Sequence, residues 1–149
     1  MLDIYFTKTK FGSKLTKNKL PIKLDLKNCK CIQKIHQEHP KGAWHMTIEV
    51  PDDVSNILKE IDASCISYCE NKSFLNSIHD NKMKVKIPYR YRKFECEFFD
   101  SKQNRIISSD IVEGTIISLK VDCTNLWDIE NGLGKLCGLT WQTKSITLH

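Results

Sequence analysis

Residues Lys82 to Phe99 read Lys-Met-Lys-Val-Lys-Ile-Pro-Tyr-Arg-Tyr-Arg-Lys-Phe-Glu-Cys-Glu-Phe-Phe. Up to Ile87 the apolar side chains fall on odd numbers (Met83, Val85, Ile87) and the lysines on even ones (Lys82, Lys84, Lys86). Beyond Pro88 the apolar set moves to even numbers: Phe94, Cys96 and Phe98. Side chains of a strand alternate strictly between faces, so one uninterrupted strand cannot bury both sets. The pattern therefore predicts a lysine-faced strand, a turn or bulge between Pro88 and Lys93, and a second extended segment. Tyr89, Arg90, Tyr91 and Arg92 are pushed to a rim or loop tip.

The flanking sequence is mostly of the same kind. Leu2–Phe6 alternates weakly, Leu20–Leu26 clearly, and Trp44–Val50 places Trp44, Met46, Ile48 and Val50 on one face. Each reads as a strand. Phe11–Lys19 reads as a polar loop, and residues 27 to 42 hold no sustained period. Pro51-Asp52-Asp53 opens the one strong helix. Its apolar residues Val54, Ile57, Leu58, Ile61, Cys65, Tyr68 and Cys69 recur at steps of three and four, with an Asp expected at the cap. Leu75–Asn81 then leads into the basic stretch. After a polar turn at Asp100–Arg105, Ile117, Leu119, Val121 and Cys123 mark another strand, Trp127 a short connector, and Gly132–Lys135 a hairpin turn. Trp141–Leu148 forms the last strand. Six or seven short strands with one helix midway predict a mainly β domain spanning 1–149, with the basic segment 1–30 on or beside it. The order resembles the OB barrel, expected with its helix between the third and fourth strands. Another barrel or sandwich with one helix also fits.

A chain of 149 residues with 28% charged and 40% hydrophobic residues buries a core without covalent staples. Its net charge of +5 is unevenly placed: residues 1–30 carry eight lysines against two aspartates, and the remainder is close to neutral. With the Lys82–Lys93 cluster, this is the distribution of a polyanion binder. The seven cysteines follow no secretory leader, and no window has the length and apolarity of a membrane span. They are expected reduced, several as small core residues of an intracellular protein.

Catalytic and metal signatures are weak. Cys29-x-Cys31 with His36 and His39 is the one candidate zinc cluster. A one-residue gap puts both thiols on one strand face and makes a poor knuckle, so no metal or other cofactor is expected. Cys65 and Cys69 share a helix stripe and read as core. Gly132-x-Gly134-Lys135 is followed by Leu136 where a phosphate loop requires Ser or Thr. The carboxylate pairs Asp52/Asp53, Glu95/Glu97 and Asp128/Glu130 have no partnered general base, which leaves a metal-dependent nuclease as the third reading.

Cations hold phosphates and exposed rings stack on bases. The candidate nucleic-acid contacts are therefore Lys82, Lys84, Lys86, Tyr89, Arg90, Tyr91, Arg92, Lys93, Trp127 and Lys135, with Tyr89 and Tyr91 the leading stacking residues. Trp44 and Trp141, in phase with apolar neighbours, are expected in the core.

Residues 43 to 148 resemble the single-stranded-DNA-binding proteins of double-stranded DNA phages and large eukaryotic DNA viruses. The resemblance rests on the order of the helix after Val50-Pro51, the basic strand and aromatic turn of Lys82–Phe99, and Asp100–Arg105. It continues through Ile111-Val112-Glu113-Gly114, Thr115–Cys123, Asn125-Leu126-Trp127 and Gly138-Leu139-Thr140-Trp141. It implies an OB-like barrel, no cofactor, and a non-catalytic coat on unpaired DNA during viral replication, recombination or repair. It also implies residence in the cytoplasm or nucleus of an infected cell. RNA binding, self-association and docking of replication proteins are left open. The ending Lys144-Ser145-Ile146-Thr147-Leu148-His149 departs from the acidic, aromatic-tipped tail of phage members and puts tail-mediated recruitment in doubt. The alternative is a non-enzymatic interaction or virion module on the same barrel, without nucleic-acid affinity.

Overall fold

A computed structural model describes residues 4–9, 12–17, 22–69, 73–132 and 134–149. Leu2, Asp3, Phe11, Lys19, Leu20, Pro21 and Leu133, which figure in the sequence reading, lie outside them. In chain order the elements are β1 (Tyr5–Thr9), β2 (Gly12–Thr16), β3 (Ile22–Gln37), β4 (Trp44–Glu49), helix α1 (Asp52–Ile66), β5 (Ser73–Leu75) and β6 (Ile78–His79). Next come β7 (Lys82–Ile87), β8 (Tyr89–Arg90), β9 (Lys93–Phe94) and β10 (Glu97–Asp100). A 3-10 turn at Ser108–Asp110 precedes β11 (Ile116–Asn131) and β12 (Gly134–Leu148).

Five strands close into a ring. β3 pairs antiparallel with β4, β4 with β7, β11 with β3, and β12 with β11, while β7 and β12 run parallel. Counted along the chain, the ring order is first, second, third, fifth, fourth. This is an OB-like β-barrel with one helix. Its closure between β7 and β12 rests on one registered pair, Lys86 with Gln142.

The helix does not sit where expected. It lies between the second and third ring strands, one connection earlier, because the weak N-terminal strand belongs outside the ring: β1 pairs with β2, and β2 reaches β11. Phe11–Lys19, expected as a loop, contains β2. Ring membership begins at Ile22, inside the basic N-terminal segment.

Three strands, β3, β11 and β12, are much longer than the alternation indicated, and in the first two bulges are the reason. In β3, Ile22 and Leu26 are buried on even numbers, then Cys29 and Cys31 on odd ones. The phase slips at Asn28, whose φ of 58° is the left-handed conformation that Asn tolerates better than most residues. In β11 a register shift between Cys123 and Asn125 moves burial from Cys123 to Leu126. The strand therefore runs on through Trp127, which was expected in a connector, and pairs with β12 out to Asn131↔Gly134. Gly134 and Lys135, expected in a hairpin turn, begin β12 near the end of that arm.

Inward residues of all five ring strands form the core, among them Leu26, Ile48, Val85, Val121 and Ile146. The helix buries Val54, Leu58, Ile61 and Cys65, with Cys65 beside Cys123 and Cys137. Its N-cap is Pro51 without a side-chain cap, not an Asp; Asp52 and Asp53 occupy the first turn, where the helix dipole favours carboxylates. Ile57 faces solvent. Tyr68, just past the helix, stacks on Phe6 of β1 with centroids 4.0 Å apart and shares a 3.1 Å hydrogen bond with Ser13 of β2. All seven cysteines are buried. Desolvation pushes Cys29, Cys65 and Cys96 up to about 12 and Cys31 to about 11, which keeps these thiols unreactive.

Candidate nucleic-acid interface

The face of β4 and β7 follows directly from their alternation. Met46 and Ile48 on β4, with Met83, Val85 and Ile87 on β7, point into the barrel. The even residues of β7 therefore point out. The register sets Lys86 beside His45, Lys84 beside Thr47, and Lys82 beside Glu49. Successive outward lysines stand about 6.7 Å apart along the strand, a stride suited to the phosphates of an extended chain.

Two grooves cross this face. One, of about 300 Å³, is lined by His45, Lys84, Lys86, Trp127 and Leu139, with Trp141 and Ser77 among its other walls. The other, of about 340 Å³, is lined by Lys41, Gly42, Trp44, Lys86 and Tyr89. They meet at Lys86. The arm of β11 and β12 thus brings Trp127 to Lys84 and Lys86, more than forty residues away in sequence.

Trp127 is held in place. Its ring lies over Gly138, its cross-strand partner, so closely that a Cβ at Gly138 would come 2.6 Å from the indole. The neighbouring wall is fixed by a buried relay. Ser77 donates to both Asp62 oxygens, from its backbone N–H (2.7 Å) and its hydroxyl (2.6 Å), and its Oγ accepts from Trp141 Nε1 (2.9 Å). Burial pushes the Asp62 carboxyl above its usual range, partly offset by the Ser77 hydrogen bonds. Trp141 is a core residue, as expected, only 2% exposed.

The Tyr89–Phe94 segment is a two-residue hairpin, pairing Tyr89 with Phe94 and Arg90 with Lys93. Its tip, Tyr91-Arg92, takes φ values of 54° and 63°. Such positions normally go to Gly, Asn or Asp, and holding bulkier residues there stores strain. Tyr91 is 84% exposed, with the Arg90 guanidinium 6.0 Å from its ring centre. Arg90 also pairs with Glu95 at 3.4 Å. Tyr89 differs from its neighbour: its ring packs 5.6 Å from Trp44 and 5.1 Å from Phe94, so it is an anchored wall and not a free ring.

Sequence reasoning missed three groove residues. Trp44, expected in the core, is half-buried because it is the first residue of β4, at the strand's edge. His45 and Lys41 are the others, and Glu38, which lines neither groove, is bonded to Lys84. Only the outward phase of His45 on an alternating strand could have flagged any of them. His45 Nδ1 is buried without a hydrogen-bond partner, and desolvation, then Lys84, lowers its pKa. Six expected contacts line neither groove: Lys82 faces Glu49, Lys135 faces Glu130 near the arm's tip, and Arg90, Tyr91, Arg92 and Lys93 stand on the hairpin. Cys29 and Cys31 share one strand face but lie in the core, and no group of three or more metal-ligating side chains is assembled among the described residues.

The ring and its basic, aromatic-walled outer face define an OB-like barrel, a fold whose second and third strands with their adjoining loops take up oligonucleotides or oligosaccharides. Among solved structures, a C-terminally truncated single-stranded DNA-binding protein from bacteriophage Enc34 is similar. The likeness has a TM-score of 0.51 at 12% identity and covers 99% of this chain and 95% of that one. No family model matches the chain, and no curated protein matches it in sequence.

Proposed function

We propose that this protein binds unpaired DNA without catalysis, as a coating protein. The observation that carries the reading is the meeting of the two grooves at Lys86. A strand laid along them would have Lys84, Lys86 and Lys41 for its phosphates, Trp127 at one end, and Trp44 with Tyr89 at the other. Stacking of this kind tolerates any base and excludes a closed duplex, whose bases are already stacked. Service in replication, recombination or repair of a viral genome is part of the same proposal, supported by the sequence resemblance and by the phage origin of the similar structure. An intracellular, reducing setting accords with the buried cysteines.

The test is fluorescence anisotropy with labelled oligo-dT at several salt concentrations, against duplex DNA and oligo-rU. Three phosphate contacts give a slope of about −2 in log K against log salt. Binding of oligo-dT with such a slope, and weaker binding of duplex, is the expected result; oligo-rU reports whether RNA is accepted. No binding at low salt would favour an interaction module. One observation speaks for that second reading: Trp44 and Phe94 also wall an apolar groove of about 330 Å³ with Ile35, Ile111 and Val112.

A further inference from the structure

Glu38 follows β3 in the connection to β4, and its carboxylate is bonded to Lys84 Nζ in the middle of the lysine row. Lys84 is the first cause holding the Glu38 carboxyl below its usual range, with smaller contributions from His45 and His36. His36 Nε2 is 3.9 Å from the same carboxylate oxygen. Its Nδ1 is bonded to the Lys34 carbonyl, which can only accept, so Nδ1 carries the proton and Nε2 is the atom turned to the anion. One carboxylate is thus held by the Lys84 ammonium beside two imidazoles, His36 and His45, paired across β3 and β4 on the face proposed for nucleic acid.

A carboxylate and a phosphodiester are both monoanions that present two oxygens, so a nest that fits one fits the other. Both members of the Glu38–Lys84 pair are nearly half exposed, at 46% and 44%, and an exposed pair is given up at little cost.

We propose that Lys84, His36 and His45 form a backbone-phosphate subsite whose resident occupant in the free protein is Glu38. The incoming phosphodiester displaces the carboxylate from Lys84, and Glu38 swings into solvent with its connecting segment. Glu38 is therefore a specificity device. A lone anion gains nothing by exchanging with it, whereas a strand held at several points pulls it aside. The inference rests on the single-stranded-DNA reading.

Glu38→Gln keeps size and removes the charge, and its exposed position leaves the fold intact. Glu49→Gln changes net charge equally on the same face but outside the nest. The measurement is affinity for labelled oligo-dT at one salt concentration, for the wild type, both single variants, Lys84→Met, and Glu38→Gln with Lys84→Met. Glu38→Gln is expected to tighten binding about fivefold and Glu49→Gln less than about twofold. Lys84→Met should cost more in the Glu38→Gln background than in the wild type, because there no displacement offsets the lost contact. Equal gains from the two glutamine variants, or an equal cost of Lys84→Met in both backgrounds, would overturn the inference while leaving DNA binding intact. Failure of the wild type and Glu38→Gln alike to bind would remove the functional reading and this inference with it.

Discussion

Beyond Trp44 and Tyr89 at one end of the proposed DNA track stands the hairpin tip with Tyr91, and it is built in the opposite way to the Trp127 end. Trp127 lies within a paired arm, its ring pressed onto Gly138. Tyr91 stands at the tip of a two-residue hairpin, almost wholly in water, on backbone in the left-handed region. A ring already fixed loses little freedom when a base arrives, whereas a ring at a loose tip must be ordered by it. The first end should therefore supply affinity and the second adaptability.

The comparison can be broken at its strong end first. Trp127→Ala should weaken oligo-dT binding by about 1–3 kcal/mol, the worth of a stacked base. A loss no larger than that of Tyr91→Gly would abolish the distinction. Gly138→Ala tests the seat instead of the ring: the added methyl must push the indole aside, so affinity should fall toward the Trp127→Ala value. Circular dichroism would check that the barrel remains.

The floor beneath the strong end carries a stability prediction. Asp62→Ala leaves the two Ser77 donors without their acceptor and should cost about 1–3 kcal/mol in urea unfolding. Its pH dependence has a definite sign. Because the native Asp62 pKa is raised, first by desolvation, its contribution is full below the unfolded carboxyl range and declines as pH climbs through the native value. The wild-type advantage over Asp62→Ala should thus narrow with rising pH; an advantage that widens would contradict the burial argument.

At the weak end the effect is smallest. Tyr91→Gly removes the ring and relieves the backbone, so affinity should drop by less than about 1 kcal/mol while stability holds or rises slightly. Tyr89→Ala sharpens the contrast within the hairpin, since it removes a ring packed on Trp44 and Phe94. It should lower the thermal midpoint as well as the affinity.

Alternation made the centre of this molecule legible. Lys82 to Ile87 announced both the core face and the cationic face of β7, and the change of phase across Pro88–Lys93 announced the hairpin. The same rule hid the long strands, because a bulge at Asn28 and another after Cys123 scramble the parity on which such reading depends. The barrel was expected on a count that placed the helix after the third strand. It closes although the helix follows the second, because the N-terminal strand was not a ring member. At the site, charge and aromatic content revealed candidate residues but not their company. Glu49 opposite Lys82, Glu38 on Lys84 and Gly138 under Trp127 are facts of register and loop path that no local pattern encodes.

The barrel is a hoop whose clasp, between β7 and β12, has one link, Lys86 with Gln142. That link is also where the two grooves join. A bound strand would span the clasp like a splint, so ligand occupancy and barrel integrity become one equilibrium. Amide exchange at the Lys86–Gln142 link should slow on binding.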